Sequence, residues 1–431
     1  MNNSIVEFLR HASATYHPGW GGPEYTDWQD EQMSWKNTCY LGDWSFLWEV
    51  QVEGADAMRV FEKSSINSYA KFPVGSAKHL VQCNENGKVV GDGVLMRTGE
   101  QSFRTQSTTA FWTAWLIHNG NYDVTVTKPN RFQLQVSGPN ALAVCEKVTG
   151  ESLTDIKFMH FRTVQIASVD VDALRQGMAG EIGFEFHGDA AHVEAVREAI
   201  LEAGQEYGIR RLGRRTAMIN HLEAAFPTGG WHYLADMFTP GFMEWMQQEF
   251  DMLGLSGKIG GSFTSDNIED YFLSPVELGW GKSIKFDHDF TGRAALEREV
   301  ESPSRVRVTL EFDKEDVIDI YSSLFDDGEP YQFLDIPHQQ RWVAWADTVR
   351  SEDGEEIGLS TVPGYSFFFR KVLTLSYIDP RYSEPGTRVQ VVWGAPGTRQ
   401  KLIGATVATA PYKKDNRRAD LAAAGPAVVS A

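Results

Sequence analysis

A segment that occurs twice constrains the fold of this chain more than any other feature. Gln51–Lys63 reads QVEGADAMRVFEK and Gln135–Lys147 reads QVSGPNALAVCEK, so Gln, Val, Gly, Ala, Val, Glu and Lys recur in step. In each copy a short alternating stretch predicts a strand, Gly54 or Gly138 predicts the turn, and apolar residues at helical spacing predict the helix that follows. The chain is therefore expected to hold two related α+β units side by side.

Other local signals fill in this frame. Asn86-Gly87 between apolar runs is a two-residue hairpin signal that joins KHLVQC to KVVGDGVLMR. His192 to Ile209 places Val193, Val196, Ile200, Ala203 and Tyr207 on one face, which predicts an amphipathic helix lying on a sheet. After about Pro303 the pattern changes to short alternating strands at Arg305–Phe312, Val372–Ile378 and Arg388–Trp393, the last following Pro385-Gly386. These predict a separate C-terminal β-barrel over 303–412, behind a catalytic region over 1–302. Residues 413–431, basic and then alanine-rich, read as a flexible tail that does not pack.

Composition excludes several classes of function. The 431 residues can form a full core and about two or three domains. With 40 Lys and Arg against 58 Asp and Glu, the formal charge of −18 would repel nucleic acid and anionic membranes. Cys39, Cys83 and Cys145 lie far apart, which disfavours a metal site or a disulfide framework and fits a reducing cytoplasm. Neither a secretion signal nor a membrane-spanning apolar run is found. Oligomeric state is left open.

The stretch from Ile259 to Glu297 carries the most specific motifs. GWGKS at 279–283 looks like the end of a phosphate-binding loop, but that loop needs a glycine where Val276 stands. Gly279 and Gly281 are read instead as room for a tight approach between strands. Pro275, Glu277, Gly279 and Gly281, followed by Phe290, Gly292 and Arg293, resemble the folate-binding aminomethyltransferase superfamily in both type and spacing. SFTSDNIEDY, KFDHDFTGR, GMAGEIGFEFHG, GRRTAMINHLEAAFP and GYSFFFRKVLTLSYID are similar to its tetrahydrofolate-dependent aromatic O-demethylase branch, nearly over the full length.

That resemblance implies an aminomethyltransferase-like α+β fold, with two ferredoxin-like units and a C-terminal barrel. It also implies transfer of a methyl group from a methoxylated aromatic acid to N5 of tetrahydrofolate. Glu185 takes the family's place for the pterin, whose ring N–H and exocyclic amine form a donor pair that a carboxylate accepts. Phe158 and Phe226 stand where aromatic residues meet the folate, although each also suits a plain core. Arg215 holds either the folate or a salt bridge with Glu223.

The substrate side departs from the resemblance. Ala217 replaces a tyrosine of the vanillate-acting enzymes, Phe46 an active-site histidine, and Thr108 or Thr109 a carboxylate-binding arginine. Gly91-Asp92, where the aminomethyltransferases have an Asp-Asp pair after the hairpin, sets the chain apart from that branch and not from the O-demethylases. An aryl ether needs a proton donor at its leaving oxygen, and His17, Asp43, Trp44 and His221 are the candidates. Trp20, Trp44, Phe46 and Trp48 would suit a ring whose chlorine substituents, as in dicamba, ease departure of the oxygen. A sulfonium donor such as dimethylsulfoniopropionate, or a folate-binding regulator without turnover, are the alternative readings.

Overall fold

In the computed structural model, residues 5–16, 19, 21–251 and 257–423 are described. Both copies of the repeated segment form the expected strand, turn and helix: Glu49–Glu53 with Ala57–Ser64, and Arg131–Ser137 with Ala141–Thr149. Val52 and Val136, Ala57 and Ala141, and Val60 and Val144 are all fully buried, so the shared apolar residues form the two cores. The turns require glycine. Gly54 has φ +141° and Gly138 φ +136°, and a Cβ would come within 2.4 Å of Asp123 O in the first copy and 2.7 Å of Thr38 O in the second.

Each copy opens a longer unit whose elements follow the order β-α-β-β-β-α-β. The first runs from Glu49 to Thr127 and the second from Arg131 to Arg211. This is one strand more than the β-α-β-β-α-β order of a ferredoxin-like unit. In the first unit the strands lie side by side as Ala77–Cys83, Val89–Gly99, Ser102–Gln106, Glu49–Glu53 and Thr125–Thr127. The second repeats that arrangement with one addition: the strand Cys39–Asp43, which precedes the first unit, lies between Arg131–Ser137 and Ile209–Arg211. The hairpin at Asn86-Gly87 joins Ala77–Cys83 to Val89–Gly99. The amphipathic helix is Val193–Gly204, with Val196, Ile200 and Ala203 buried on the sheet.

The two units meet through buried charge. Glu49 accepts from Gln133 Nε2 at 3.0 Å and lies 3.7 and 3.8 Å from Arg104 and Arg131. The same two arginines reach Asp172 at 2.9 and 3.2 Å. Their mutual pairing meets the requirement that buried charges find partners.

Six antiparallel strands between Val306 and Ala408 close into a barrel, because Lys371–Ile378 pairs back to Val306–Phe312. Gly364–Ser366 adds to its outside, and the helix Lys314–Ser322, absent from the sequence expectation, packs against Lys401–Ala408. Glu277 of the Pro-x-Glu-x-Gly-x-Gly motif is fully buried between Lys88 at 2.8 Å and Arg305 at 2.6 Å, and so ties the first unit's hairpin to the barrel. Gly279 gives room to a side chain rather than to a strand: at φ +76°, its Cβ would sit 2.7 Å from the Arg307 guanidinium carbon.

The expectation of an unpacked tail is corrected for residues 413–423. Lys413, its side chain only 7% exposed, bonds Glu181 and Ala179 O, Asn416 N donates to Gly180 O at 2.8 Å, and Leu421 joins the core of the second unit. A buried partner for a lysine and an apolar anchor outweigh the polar composition of the segment. Residues 424–431 lie outside the described ones. Among the described residues no helix is long and apolar enough to cross a membrane, and no group of three His, Cys, Asp or Glu is arranged to hold a metal ion. The three cysteines are buried and free.

Candidate active site

The two units, the barrel and the docked 413–423 segment surround a cavity of about 660 Å³. Its wall on the second unit is built around Glu185. Along Gly183–Asp189, Phe184 and Phe186 turn into the core while Glu185 and His187 turn the other way. Glu185 is 4% exposed. Its Oε1 accepts from Gln135 Nε2 at 2.7 Å and Gln176 Nε2 at 3.0 Å, and Tyr40 OH donates to Gln135 Oε1 at 2.5 Å. The inserted Cys39–Asp43 strand thus orients the amide that orients the carboxylate. Glu185 Oε2 and Gln176 Oε1 are buried without hydrogen-bond partners.

His187 lies behind Glu185, 3.5 Å from it on one side and 3.4 Å from Glu49 on the other. These are ion-pair contacts without hydrogen-bond alignment. Burial lowers the basicity of the imidazole, but the two carboxylates outweigh it, so its pKa is raised.

The first unit contributes a carboxylate that sequence reasoning missed. Asp92 Oδ2 lies 2.9 Å from His79 Nε2, and Oδ1 accepts from Tyr233 OH. His79 stands edge-on to Trp280, with ring centroids 4.7 Å apart, and close to Phe226 at 5.6 Å. The signal was present in Gly91-Asp92, which keeps the second residue of the family's acidic pair. Thr108 lines the cavity, but its hydroxyl is engaged with the Asp92 backbone, accepting from N at 3.1 Å and donating to O at 3.2 Å.

A third wall comes from the helix Ala217–Ala224 and the loop after it. His221 is 1% exposed, stacks on Trp44 with centroids 5.6 Å apart and planes 19° from parallel, and meets Phe226 edge-on. Its Nδ1 lies 2.7 Å from Thr228 Oγ1, and its Nε2 is buried without a partner. Burial and the nearby Arg417 and His338 charges push its pKa down to about 3, so the ring is neutral at ordinary pH.

Eight of the sequence candidates therefore surround one space: His221, Glu185, Phe158, Phe226, Trp44, Phe46, Trp48 and Thr108. Two others stand elsewhere. Asp43 pairs with Arg197 at 2.7 Å. Arg215 pairs with Glu24 and donates to Ile336 O at 2.9 Å; its suggested partner Glu223 pairs with Lys36 instead, at 2.6 Å. His17 and Trp20 lie outside the described residues. The lining also holds cations that the sequence reading passed over: Lys78, Lys285, Arg307, Arg417 and Arg418.

Comparison with known proteins agrees with this fold. A family model described as the GCVT N-terminal domain matches residues 4–240. The chain is 35% identical to a syringate O-demethylase from a Sphingobium species, over 95% of its own length and 94% of the relative's. It is also 35% identical to a sesamin methylene transferase from a Sinomonas species, over 90% and 89%. The crystal structure of the glycine cleavage system aminomethyltransferase T from Bartonella henselae superposes with a TM-score of 0.68 at 18% identity, covering 96% of this chain and 97% of that one. The fold, the extent of the family match and the near full-length relatives together make this chain a member of the GCVT aminomethyltransferase family.

Proposed function

We propose that this chain is an enzyme that takes a methyl group from a methoxylated aromatic acid and passes it to tetrahydrofolate. The observation that carries the reading is one cavity whose lining combines two buried acceptors that take no hydrogen bond, Glu185 Oε2 with only its 3.5 Å ion-pair contact to His187 and Gln176 Oε1, with an aromatic wall bearing His221, whose Nε2 also has no hydrogen-bond partner. The acceptors suit the pterin's two neighbouring donors. With Oε1 of Glu185 already taken twice, the contact falls on Oε2 and the adjacent amide oxygen rather than on both carboxylate oxygens. Names given to the relatives, an O-demethylase and a methylene transferase, support the transfer of a one-carbon unit.

Tetrahydrofolate, when bound, supplies N5 as the nucleophile. The chain has to align the donor, keep water out and help the oxygen leave. As the methyl C–O bond breaks, its electron pair stays on the ring oxygen. His221 can donate Nε2–H to that oxygen when the Thr228 hydroxyl donates to Nδ1, and a neutral imidazole suffices for this role. The His79–Asp92 pair offers a base at the cavity wall for the proton that methyl acceptance releases. A chlorinated methoxybenzoate of the dicamba type needs less help, because its phenolate is more stable.

The test is incubation of the purified protein with tetrahydrofolate and a panel of chlorinated and unchlorinated methoxybenzoates. Methyl-tetrahydrofolate and the matching phenol should form in equal amounts; failure with every member rejects the reading. His221→Asn should lower turnover by about 100-fold or more while leaving folate affinity intact, and the loss should shrink on chlorinated rings. The equal similarity to a methylene transferase favours one second reading, a methylene cargo, which mass spectrometry of the folate product separates from methyl.

A further inference from the structure

Five basic side chains and only two acidic ones line the cavity, in a chain whose formal charge is −18. Such a local reversal calls for an anion, and the basic groups differ in what they are already doing. Arg418 lies over the Phe158 ring at 4.8 Å, and Lys78 lies over Phe72 at 4.8 Å. Arg307, from the first barrel strand, donates Nη1 to Leu278 O at 2.8 Å and keeps a buried Nε without a partner. Arg417 gives Nε and Nη2 to Asp415 at 3.0 and 2.8 Å. One edge of its guanidinium is therefore fixed, and the remaining N–H groups form a fork of the shape a carboxylate accepts in bidentate fashion.

Placement narrows the ligand. Arg417, Arg307 and His221 line the same cavity, and the charge of Arg417 is felt at both of the others, where it adds to burial in lowering their basicity. With one edge of Arg417 held by Asp415, an anionic guest in that cavity would offset the remaining repulsion between the two guanidiniums on its wall. The Thr108 hydroxyl is taken by the Asp92 backbone, so a charged ring needs a cationic partner from another element.

We propose that Arg417 and Arg307 form a carboxylate subsite that reads the acid group of the aromatic donor, with Asp415 as the positioning residue that aims Arg417. The assignment of the donor rests on the O-demethylase reading; the subsite itself does not. Gly279 belongs to the device, since a side chain there would displace the Arg307 guanidinium. The other carboxylate available to this cavity is that of the folate glutamate.

Calorimetric titration of the full chain separates these sources. Wild type and Arg417→Gln are titrated with a hydroxybenzoate and its uncharged benzamide, and separately with tetrahydrofolate and a tetrahydropterin lacking the glutamate. Arg417→Gln should weaken hydroxybenzoate binding about tenfold or more, leave the benzamide unchanged, and leave both folate ligands unchanged. Arg417→Lys should recover part of the loss, and Asp415→Asn should erode the preference for acid over amide by a smaller factor, with KM moving more than kcat. A loss confined to tetrahydrofolate would overturn the aromatic-acid assignment and give the same subsite to the glutamate. Equal losses for acid and amide, or none for any ligand, would overturn the subsite, with the urea midpoint confirming that each variant is folded. If wild type transfers no methyl group yet Arg417→Gln still abolishes the preference for the acid, the O-demethylase reading fails and the subsite stands.

Discussion

Gln51 and Gln135 hold the same place in the repeat, and across the sheet Gln51 faces Arg104 whereas Gln135 faces Glu185. In the first unit that place joins: Arg104 reaches out of its own sheet to Asp172 and helps lock the two units together. In the second it serves the candidate site: Glu185 stays within its own wall, and its buried Oε2 takes no hydrogen bond. Buried valine and alanine and the strained glycine are common to both copies, so the scaffold is set by apolar packing and turn geometry. Its use is set by one exchange of charge. The inserted Cys39–Asp43 strand completes the difference, since Tyr40 aims Gln135 at Glu185, whereas Gln51 bonds Thr98 and Ser102 instead.

The contrast can be broken most severely at the joint. Arg104→Met leaves Arg131 as the one arginine shared by Glu49 and Asp172, and losing one side of a buried ion pair costs about 3–5 kcal/mol. Urea unfolding should register that loss while folded molecules keep their folate affinity; unchanged stability would show that Arg104 does not hold the units together. On the binding side, Glu185→Gln should weaken tetrahydrofolate by about 1.5–3 kcal/mol, or roughly 10- to 150-fold in Kd, with little change in the unfolding midpoint. Equal affinity for variant and wild type would erase the distinction.

A subtler comparison sets the copies against each other. Gly54→Ala and Gly138→Ala should each lose about 1–3 kcal/mol of stability, since both force a Cβ against backbone at positive φ. A neutral result in either copy would mean that its turn can relax. The smallest effect is a pH slope. His187 has a raised pKa in the folded state against about 6.5 unfolded. Its contribution is thus fully present below pH ~6.5 and fades as pH climbs through the raised value. Relative to wild type, His187→Gln should lack a slope of up to about 1.4 kcal/mol per pH unit there; parallel stability curves would argue against a charged His187.

Short-range patterns were the legible part of the fold. Alternation, helical spacing and turn residues exposed the repeated segment, the hairpin and the barrel strands, and the family motifs led to Glu185 and Phe226. Long-range pairing leaves no such trace. Asp43 and Arg215 looked available, yet partners 154 and 191 residues away occupy them. Tyr233 reaches Asp92 across 141 residues, and no periodicity announces that. Nothing in CYLGD reveals that this strand enters the sheet of the second unit rather than the first. The docked segment was misread for a related reason: its composition is that of a tail, while two anchors, Lys413 and Leu421, decide its place.

That docking also orders events during synthesis. Both units and the barrel leave the ribosome before residues 413–423 do, and each has its own apolar core with which to fold. The wall that carries Arg417 exists only once Lys413 has found Glu181 and Leu421 has entered a core already formed. A growing chain therefore acquires its architecture first and its completed cavity last.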